Sequence, residues 1–169
     1  MEIERKFLIR YPDIEKLMRQ PGCIRLAITQ TYLSARPGVE HRVRKSDDGQ
    51  DIKYTETRKW EVGGLVSRGE ENTVITEQKY EKLLADADPS LRTIEKTRYR
   101  IPFGGHFLEI DVYPFFSDCA ILEVELQSET EPIAIPSYCD VIREVTDDKR
   151  FRNGSLAREI PVLKEETER

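Results

Sequence analysis

Charged residues of one sign recur at every second position along several short segments of this chain. The acidic pairs are Glu2 with Glu4, Glu109 with Asp111, and Glu123 with Glu125. The basic sets are Arg42 with Arg44, and Lys96 with Arg98 and Arg100. Residues two apart on a strand share one face and lie about 7 Å from each other. Each set is therefore repulsive unless a counter-charge lies beside it.

The chemistry that removes this repulsion is the binding of a metal together with a polyanion. Carboxylate oxygens bind hard divalent cations, and Mg²⁺ takes few carboxylates and relies on phosphate oxygens for the rest. Arginine and lysine bind polyanions through charge-assisted hydrogen bonds. For any single strand, an ordinary half-exposed sheet with its polar side outward is the better explanation. The whole set, facing one cavity, predicts a site for a divalent metal and a chain of phosphates.

The elements that must position these residues are mainly strands, because period-2 alternation dominates the sequence. Strands are predicted over residues 2–9, 27–34, 39–45, 52–59, 65–71, 93–102, 106–113 and 120–127. Helices are predicted near 13–20, over 74–87, near 137–144 and near 154–159. Hairpin-like connections and the need to protect strand edges favour an α+β fold, an eight-stranded antiparallel β-barrel (a tunnel) with a few peripheral helices. One domain spans 1–169, and residues 160–169 are predicted to form a polar tail.

Composition excludes several other classes of protein. The 27 basic and 32 acidic residues nearly cancel to a net charge of −5, which is untypical of a disordered chain and disfavours non-specific binding to nucleic acid. No apolar run of about 18 residues predicts a membrane helix. Three widely spaced cysteines without a Cys-x-x-Cys pair favour a reducing compartment. We therefore expect a cytoplasmic protein with neither a membrane nor a nucleic-acid partner.

An ordered set of motifs resembles the CYTH superfamily, the triphosphate tunnel metalloenzymes. The set begins with Glu2-Ile3-Glu4-Arg5-Lys6, which is similar to the Glu-x-Glu-x-Lys signature of that family. It continues with Gln30-Thr31-Tyr32-Leu33, Arg42-Val43-Arg44, Thr57-Arg58-Lys59, Arg68-Gly69-Glu70, Lys96-Thr97-Arg98-Tyr99, Glu109-Ile110-Asp111, Glu123-Val124-Glu125 and Glu144-Val145-Thr146, and then with Lys149, Asn153 and Leu156-Ala157. The resemblance is to the bacterial, tripolyphosphatase-like branch. It implies an eight-stranded tunnel that binds a triphosphate-bearing small molecule with Mg²⁺ or Mn²⁺, and it leaves a homodimer open.

The resemblance also implies roles for individual residues. The implied metal ligands are Glu2, Glu4, Glu109, Asp111, Glu123 and Glu125. The implied phosphate contacts are Lys6, Arg42, Arg44, Lys59, Lys96, Arg98 and Lys149, the last of which would close the tunnel. Tyr32 and Lys59 resemble a catalytic dyad that activates water, since a nearby lysine cation lowers the pKa of a tyrosine. The alternatives are a packed strand aromatic for Tyr32 and an exposed lysine for Lys149.

The implied function is divalent-metal-dependent hydrolysis of a triphosphate, with inorganic tripolyphosphate as the expected substrate. Class IV adenylate cyclases and thiamine triphosphatases belong to the same superfamily and need the same grip on three phosphates. A triphosphate-binding module without turnover is a further alternative. No adenine pocket is evident in the sequence, and a shared fold does not decide the reaction.

Overall fold

Nine strands form one antiparallel sheet in the computed structural model, which describes residues 2–62 and 67–168, with all their side chains except those of Glu2, Ser67, Arg68, Asn153 and Glu165. The strands are β1 (Glu2–Arg10), β2 (Ile24–Tyr32), β3 (Val39–Asp47), β4 (Ile52–Glu61), β5 (Ser67–Ile75), β6 (Ile94–Phe103), β7 (His106–Val112), β8 (Cys119–Glu125) and β9 (Val141–Glu144). The helices are α1 (Ile14–Met18), α2 (Glu77–Leu83), α3 (Asn153–Arg158) and α4 (Lys164–Thr167), with 3₁₀ turns at Leu84–Asp86 and Lys149–Phe151.

The order of the strands makes the sheet a ring. Neighbouring strands follow the sequence β5-β4-β3-β2-β6-β7-β8-β1-β9, and β1 also pairs with β5. Within the described ranges, that last pairing joins Glu2 to Arg68 and Ile3 to Ser67. The first eight strands therefore enclose a tunnel, which confirms the predicted eight-stranded antiparallel fold. In this ring β3 lies opposite β8, and β4 lies opposite β7.

The main apolar core lies outside the tunnel. Strands β1, β6, β7 and β8 turn their apolar alternate residues outward, where they pack with Leu17 of α1 and with Cys139. A smaller outer cluster packs Val43 of β3 against Tyr80 of α2. Because the apolar core is built on the outer faces of the strands, the inner faces can carry charged residues.

A second apolar cluster fills one end of the tunnel. Leu8 of β1 and Ile121 of β8 are each two residues from a charged inner-face residue, so their side chains point inward. They are fully buried and pack with Phe151 and Leu156 from the C-terminal segment. The charged part of the interior is therefore bounded at this end by apolar side chains.

The predicted helix near 137–144 is wrong, because part of that stretch forms the strand β9. Its residues pair with the outer edge of β1, with Phe7 opposite Glu144 and Leu8 opposite Arg143. Among the residues that the structure describes, the pairing with β5 extends along β1 to Ile3, and β9 covers this edge of β1 further along the strand. Pairing with the open edge of β1 therefore outweighs the local preference of this stretch for a helix.

The other helices are present where the sequence places them, with adjusted ends. The helix α2 begins later than predicted, because Val74 and Ile75 belong to β5 and the Thr76 side chain caps the helix by accepting from the backbone N–H of Lys79. The predicted polar tail contains α4, whose neighbour Leu163 is buried and whose Glu166 lies 2.9 Å from Arg143. Within the described ranges, no helix combines the length and the apolarity that crossing a membrane requires.

Candidate active site

A polar cavity of about 320 Å³ lies inside the ring. All strands of the ring except β2 contribute side chains to it, and two more come from the C-terminal segment. The lining consists of Glu4, Lys6, Glu40, Arg42, Arg44, Thr55, Thr57, Lys59, Glu70, Asn72, Arg98, Glu109, Glu123, Glu125, Thr146 and Arg152. Nine of the residues singled out in the sequence are thus brought together in one space: Glu4, Lys6, Arg42, Arg44, Lys59, Arg98, Glu109, Glu123 and Glu125.

One side of the cavity, which we call the acidic wall, carries Glu4, Glu109, Glu123 and Glu125. The register of the strands places Glu4 directly opposite Glu125, and Glu109 directly opposite Glu123. Directly opposed like charges destabilise a sheet unless a cation lies between them. Burial raises the pKa of Glu109, and the neighbouring Glu123 and Asp111 carboxylates add to the rise against the pull of Arg98.

Two basic side chains lie among these carboxylates. The Nζ atom of Lys6 is 3.4 Å from Glu4 and 3.7 Å from Glu123. The guanidinium of Arg98 is 2.9 Å from Glu109 and 3.5 Å from Glu123. Each opposed acidic pair therefore has a cation beside it, and the carboxylates are held close together.

The donor set of the acidic wall fits a hard divalent cation. It offers carboxylate oxygens only, in two opposed pairs, and Mg²⁺ binds through one or two carboxylates and completes its shell with water and phosphate. Among the described side chains, no group of three acidic, histidine or cysteine residues converges tightly enough to hold a metal alone. Glu2, a predicted ligand, opens β1, but its side chain lies outside the described part of the structure.

The opposite side of the cavity, which we call the basic wall, carries Arg42, Arg44 and Lys59. These residues lie on β3 and β4, which face β8 and β7 across the ring. Burial lowers the pKa of Arg44 to about 9, and the neighbouring cations Arg42 and Arg98 lower it further against the pull of Asp111. Crowded, desolvated cations of this kind form a site for a polyanion.

Gln30 of β2 holds one of these cations and was not predicted as a site residue. It is fully buried, and its Oε1 accepts hydrogen bonds of 3.0 and 2.7 Å from the Nε and Nη2 atoms of Arg44. Its Nε2 atom donates at 2.6 Å to the hydroxyl of Tyr32. Gln30 is a polar residue of a predicted strand whose hairpin partner carries Arg44. This is the signal that could have identified it.

Lys96 and Asp111 form an ion pair behind the cavity lining, and their roles as phosphate contact and metal ligand stay predictions. Lys96 Nζ lies 2.7 Å from Asp111 Oδ2, and both side chains are fully buried. Arg98 donates to both oxygens of Asp111, at 2.7 and 2.9 Å. With its oxygens occupied by two basic groups, Asp111 fixes the position of Arg98.

The pKa values of this pair reflect the competition between burial and charge. Burial alone would raise the pKa of Asp111, but the Arg98 and Lys96 charges outweigh it and hold that pKa well below its usual range. Burial lowers the pKa of Lys96 to about 7, despite the opposing pull of Asp111.

The predicted lowering of the Tyr32 pKa is wrong. Tyr32 is only 2 % exposed and is absent from the cavity lining, whereas Lys59 is part of it. Burial raises the pKa of Tyr32, and Glu40 raises it further against Arg42 and Arg44. At neutral pH this tyrosine keeps its proton and receives the hydrogen bond from Gln30.

The C-terminal segment reaches the cavity through residues other than the one predicted. Lys149 is an exposed residue of the 3₁₀ turn and does not line the cavity. Thr146 and Arg152, which flank this turn, do line it. The motif Glu144-Val145-Thr146 pointed to the first, but no period or motif in the sequence marks Arg152.

A ring of eight antiparallel strands around opposed acidic and basic walls defines a triphosphate tunnel. Comparison with known proteins places this chain among such proteins. The inorganic triphosphatase of Nitrosomonas europaea is 37% identical over 165 residues, which cover 95% of this chain and 99% of that protein. No family model matches the chain.

Two solved structures have the same fold. The crystal structure of the inorganic triphosphatase NE1496 superposes with a TM-score of 0.59 and 30% identity, covering 96% of this chain and 97% of that one. A conserved hypothetical protein from Pyrococcus furiosus superposes with a TM-score of 0.59 at 19% identity, covering 77% of this chain and 81% of that one. The chain belongs to the CYTH superfamily, the triphosphate tunnel metalloenzymes.

Proposed function

We propose that this protein is a metal-dependent phosphohydrolase whose substrate is inorganic tripolyphosphate. The observation that carries the proposal is the pair of opposed walls, with carboxylates on β1, β7 and β8 and cations on β3 and β4 around one cavity. The relative from Nitrosomonas europaea, named an inorganic triphosphatase, supports the same reaction.

The basic wall binds the phosphate chain. Arg42 and Arg44 offer guanidinium groups, which grip phosphate oxygens with two parallel hydrogen bonds, and Lys59 offers a point charge. Arg98 and Lys6 lie between the acidic wall and the chain and contact both. Because Gln30 and Tyr32 hold Arg44 in a chain of hydrogen bonds, Tyr32 acts as a positioning residue here.

The acidic wall would hold the metal, Mg²⁺ or Mn²⁺, through Glu4, Glu109, Glu123 and Glu125, and Glu2 stays a predicted ligand. A bound divalent ion would supply Lewis-acid charge that neutralises the phosphate oxygens and polarises a water molecule. The chain's own cations do the rest, because they hold the phosphates in line for attack and stabilise the charge that develops on the leaving oxygen.

The test is phosphate release from tripolyphosphate by the purified protein, with Mg²⁺ or Mn²⁺ and with EDTA as the metal-free control. We expect release only with metal. Parallel assays with thiamine triphosphate and ATP rank the substrates, and the ATP assay includes detection of cyclic AMP. Formation of cyclic AMP without phosphate release from any triphosphate would overturn the proposal, as would the absence of turnover with every metal.

A further inference from the structure

Arg152 is a cavity residue whose backbone is held firmly while its side chain reaches into the cavity. It lies between the 3₁₀ turn Lys149–Phe151 and α3. Its neighbour Phe151 is 1% exposed, and the carbonyl of Phe151 accepts a hydrogen bond of 3.3 Å from Lys6 Nζ. The backbone N–H of Leu156, which is fully buried, donates at 2.9 Å to the carbonyl of Arg152.

The side chain of Arg152 forms an ion pair with Glu61 at the mouth of the cavity. Its Nη1 atom is 3.2 Å from Glu61 Oε1. Glu61 follows Lys59 by two residues, so both lie on the inner face of β4. Lys59 is buried, yet the Glu61 side chain is 66% exposed, so this face of β4 leaves the cavity between these two residues. Among the described side chains, Arg152 is therefore a cation next to Lys59 on the way out.

A phosphate group competes well with Glu61 for this arginine. An ion pair with a largely exposed carboxylate contributes little, because solvent screens it and two side chains must be ordered. A phosphate offers the guanidinium two parallel charge-assisted hydrogen bonds and carries more negative charge than one carboxylate. The Arg152 side chain is already 77% covered, so little further ordering is needed.

We propose that Arg152 binds the mouth-side phosphate group of the substrate, and that Glu61 holds this arginine in place until the phosphate replaces it. The inference rests on the proposed function, because it needs a phosphate chain in the cavity. It adds to that function a substrate contact from the C-terminal segment and an acidic residue that competes with the substrate.

Steady-state kinetics with tripolyphosphate test the first part. Arg152→Ala should raise KM about tenfold and leave kcat within about twofold of wild type. The reason is that a charge-assisted contact made equally in the substrate complex and in the transition state affects KM and not kcat. Arg152→Lys should give an intermediate KM. The matched control is Arg150→Ala: Arg150 is an exposed arginine in the same segment, pairs with Asp148 at 2.7 Å and does not line the cavity, so KM should not change.

A double-mutant cycle tests the role of Glu61. Glu61→Gln should lower KM about threefold in the wild-type background, because the arginine is then not occupied, and should have no effect in the Arg152→Ala background. An equal decrease in KM in both backgrounds would show only a general effect of charge. It would overturn the proposal that Glu61 competes with the phosphate for Arg152. An unchanged KM in Arg152→Ala would overturn the contact itself.

Folding and turnover are controlled separately. Melting temperatures are measured for every variant, and Arg152→Gln, which keeps the length of the side chain, replaces the alanine variant if that one unfolds. If the wild type releases no phosphate from any triphosphate, the proposed function fails. Calorimetric titration of the same variants with tripolyphosphate then decides the role of Arg152 without turnover, since weaker binding in Arg152→Ala alone supports it and equal binding overturns it.

Discussion

At the scale of single residues, the carboxylate of Asp111 is the group that holds the inner cations in place. It accepts hydrogen bonds from Lys96 and Arg98 while fully buried. Removing one charge from such a network leaves the others buried without compensation. We expect Asp111→Asn to lower the free energy of unfolding by about 3–5 kcal/mol in urea denaturation. Asp118→Asn, at an exposed position, is the control and should change it by less than about 0.5 kcal/mol.

The same carboxylate predicts how stability depends on pH. Burial would raise the pKa of Asp111, but Arg98 and Lys96 hold it well below the usual value of about 4. The group therefore contributes stability above its unfolded-state pKa, and this contribution is lost as the pH falls through the lower folded-state pKa. Urea denaturation between about pH 5 and pH 2.5 should show a steeper loss for wild type than for Asp111→Asn. Parallel slopes would contradict this assignment.

Glu123 is the residue at which the acidic wall and the cations meet. It faces Glu109 across the strands and lies within 3.7 Å of Lys6 and 3.5 Å of Arg98. Glu123→Gln keeps the shape but removes a charge from the proposed metal site, so kcat/KM should fall at least about 100-fold and the metal concentration for half-activation should rise. Glu159→Gln, at an exposed position that is not part of the cavity lining, should keep full activity. Full activity in Glu123→Gln would remove this residue from the metal site.

At the scale of elements, the pairing of β4 with β5 depends on a glycine. Gly69 lies opposite Trp60, and a Cβ atom built at Gly69 overlaps the indole ring. Gly69→Ala must therefore displace the indole, which we expect to cost about 1–3 kcal/mol of stability and to shift the emission of the chain's single tryptophan to the red.

The partner variants decide whether the indole is the cause. Trp60→Ala removes the obstacle, so Gly69→Ala in that background should have little effect on stability measured by urea denaturation followed by circular dichroism. If Gly69→Ala destabilises both backgrounds equally, the overlap with Trp60 is not the reason why glycine stands at this position.

Most strands of the ring could be predicted from the sequence because they carry a period-2 pattern. The alternation of Glu4 and Lys6 with apolar Ile3 and Phe7 shows both the strand and its two faces. The strand β9 could not be found this way, since it has only four residues and exists because β1 has an edge to cover. The strand with which β9 pairs, β1, is distant in sequence, so no local pattern predicts β9.

For the site, too, local sequence patterns predict which face a residue lies on, whereas its depth in the tunnel depends on residues distant in sequence. Period and sign place Arg42, Arg44, Glu109 and Glu123 on inward faces, and the cavity contains all of them. How deep each residue lies depends on strand tilt and on what fills the end of the tunnel. Asp111 is on the predicted face but one step too deep, so it pairs with Lys96 instead of lining the cavity. Arg152 enters from a segment with no periodic pattern.

At the scale of the whole molecule, the fold separates apolar burial from charge. The main core packs on the outside of the ring, and the tunnel contains the charged groups, with the acidic wall, to which Lys6 and Arg98 are ion-paired, facing the basic wall. The net charge of −5 repels a polyanion at long range, so the cations of the interior must attract the substrate locally. A divalent metal bound to the phosphates would reduce the long-range repulsion as well.

If the acidic wall binds a divalent metal as proposed, the stability of the molecule should depend on that metal. A ligand that binds only the folded state stabilises it by about 2.7 kcal/mol at 100 times its dissociation constant. We therefore expect MgCl₂ to raise the melting temperature of the wild type above that in KCl of equal ionic strength, and EDTA to reverse the gain. Glu123→Gln should lose most of this difference, because its pair with Glu109 no longer carries two charges. A melting temperature that MgCl₂ and KCl affect equally would show that Lys6 and Arg98 alone neutralise the acidic wall, and the metal would then have to arrive with the substrate.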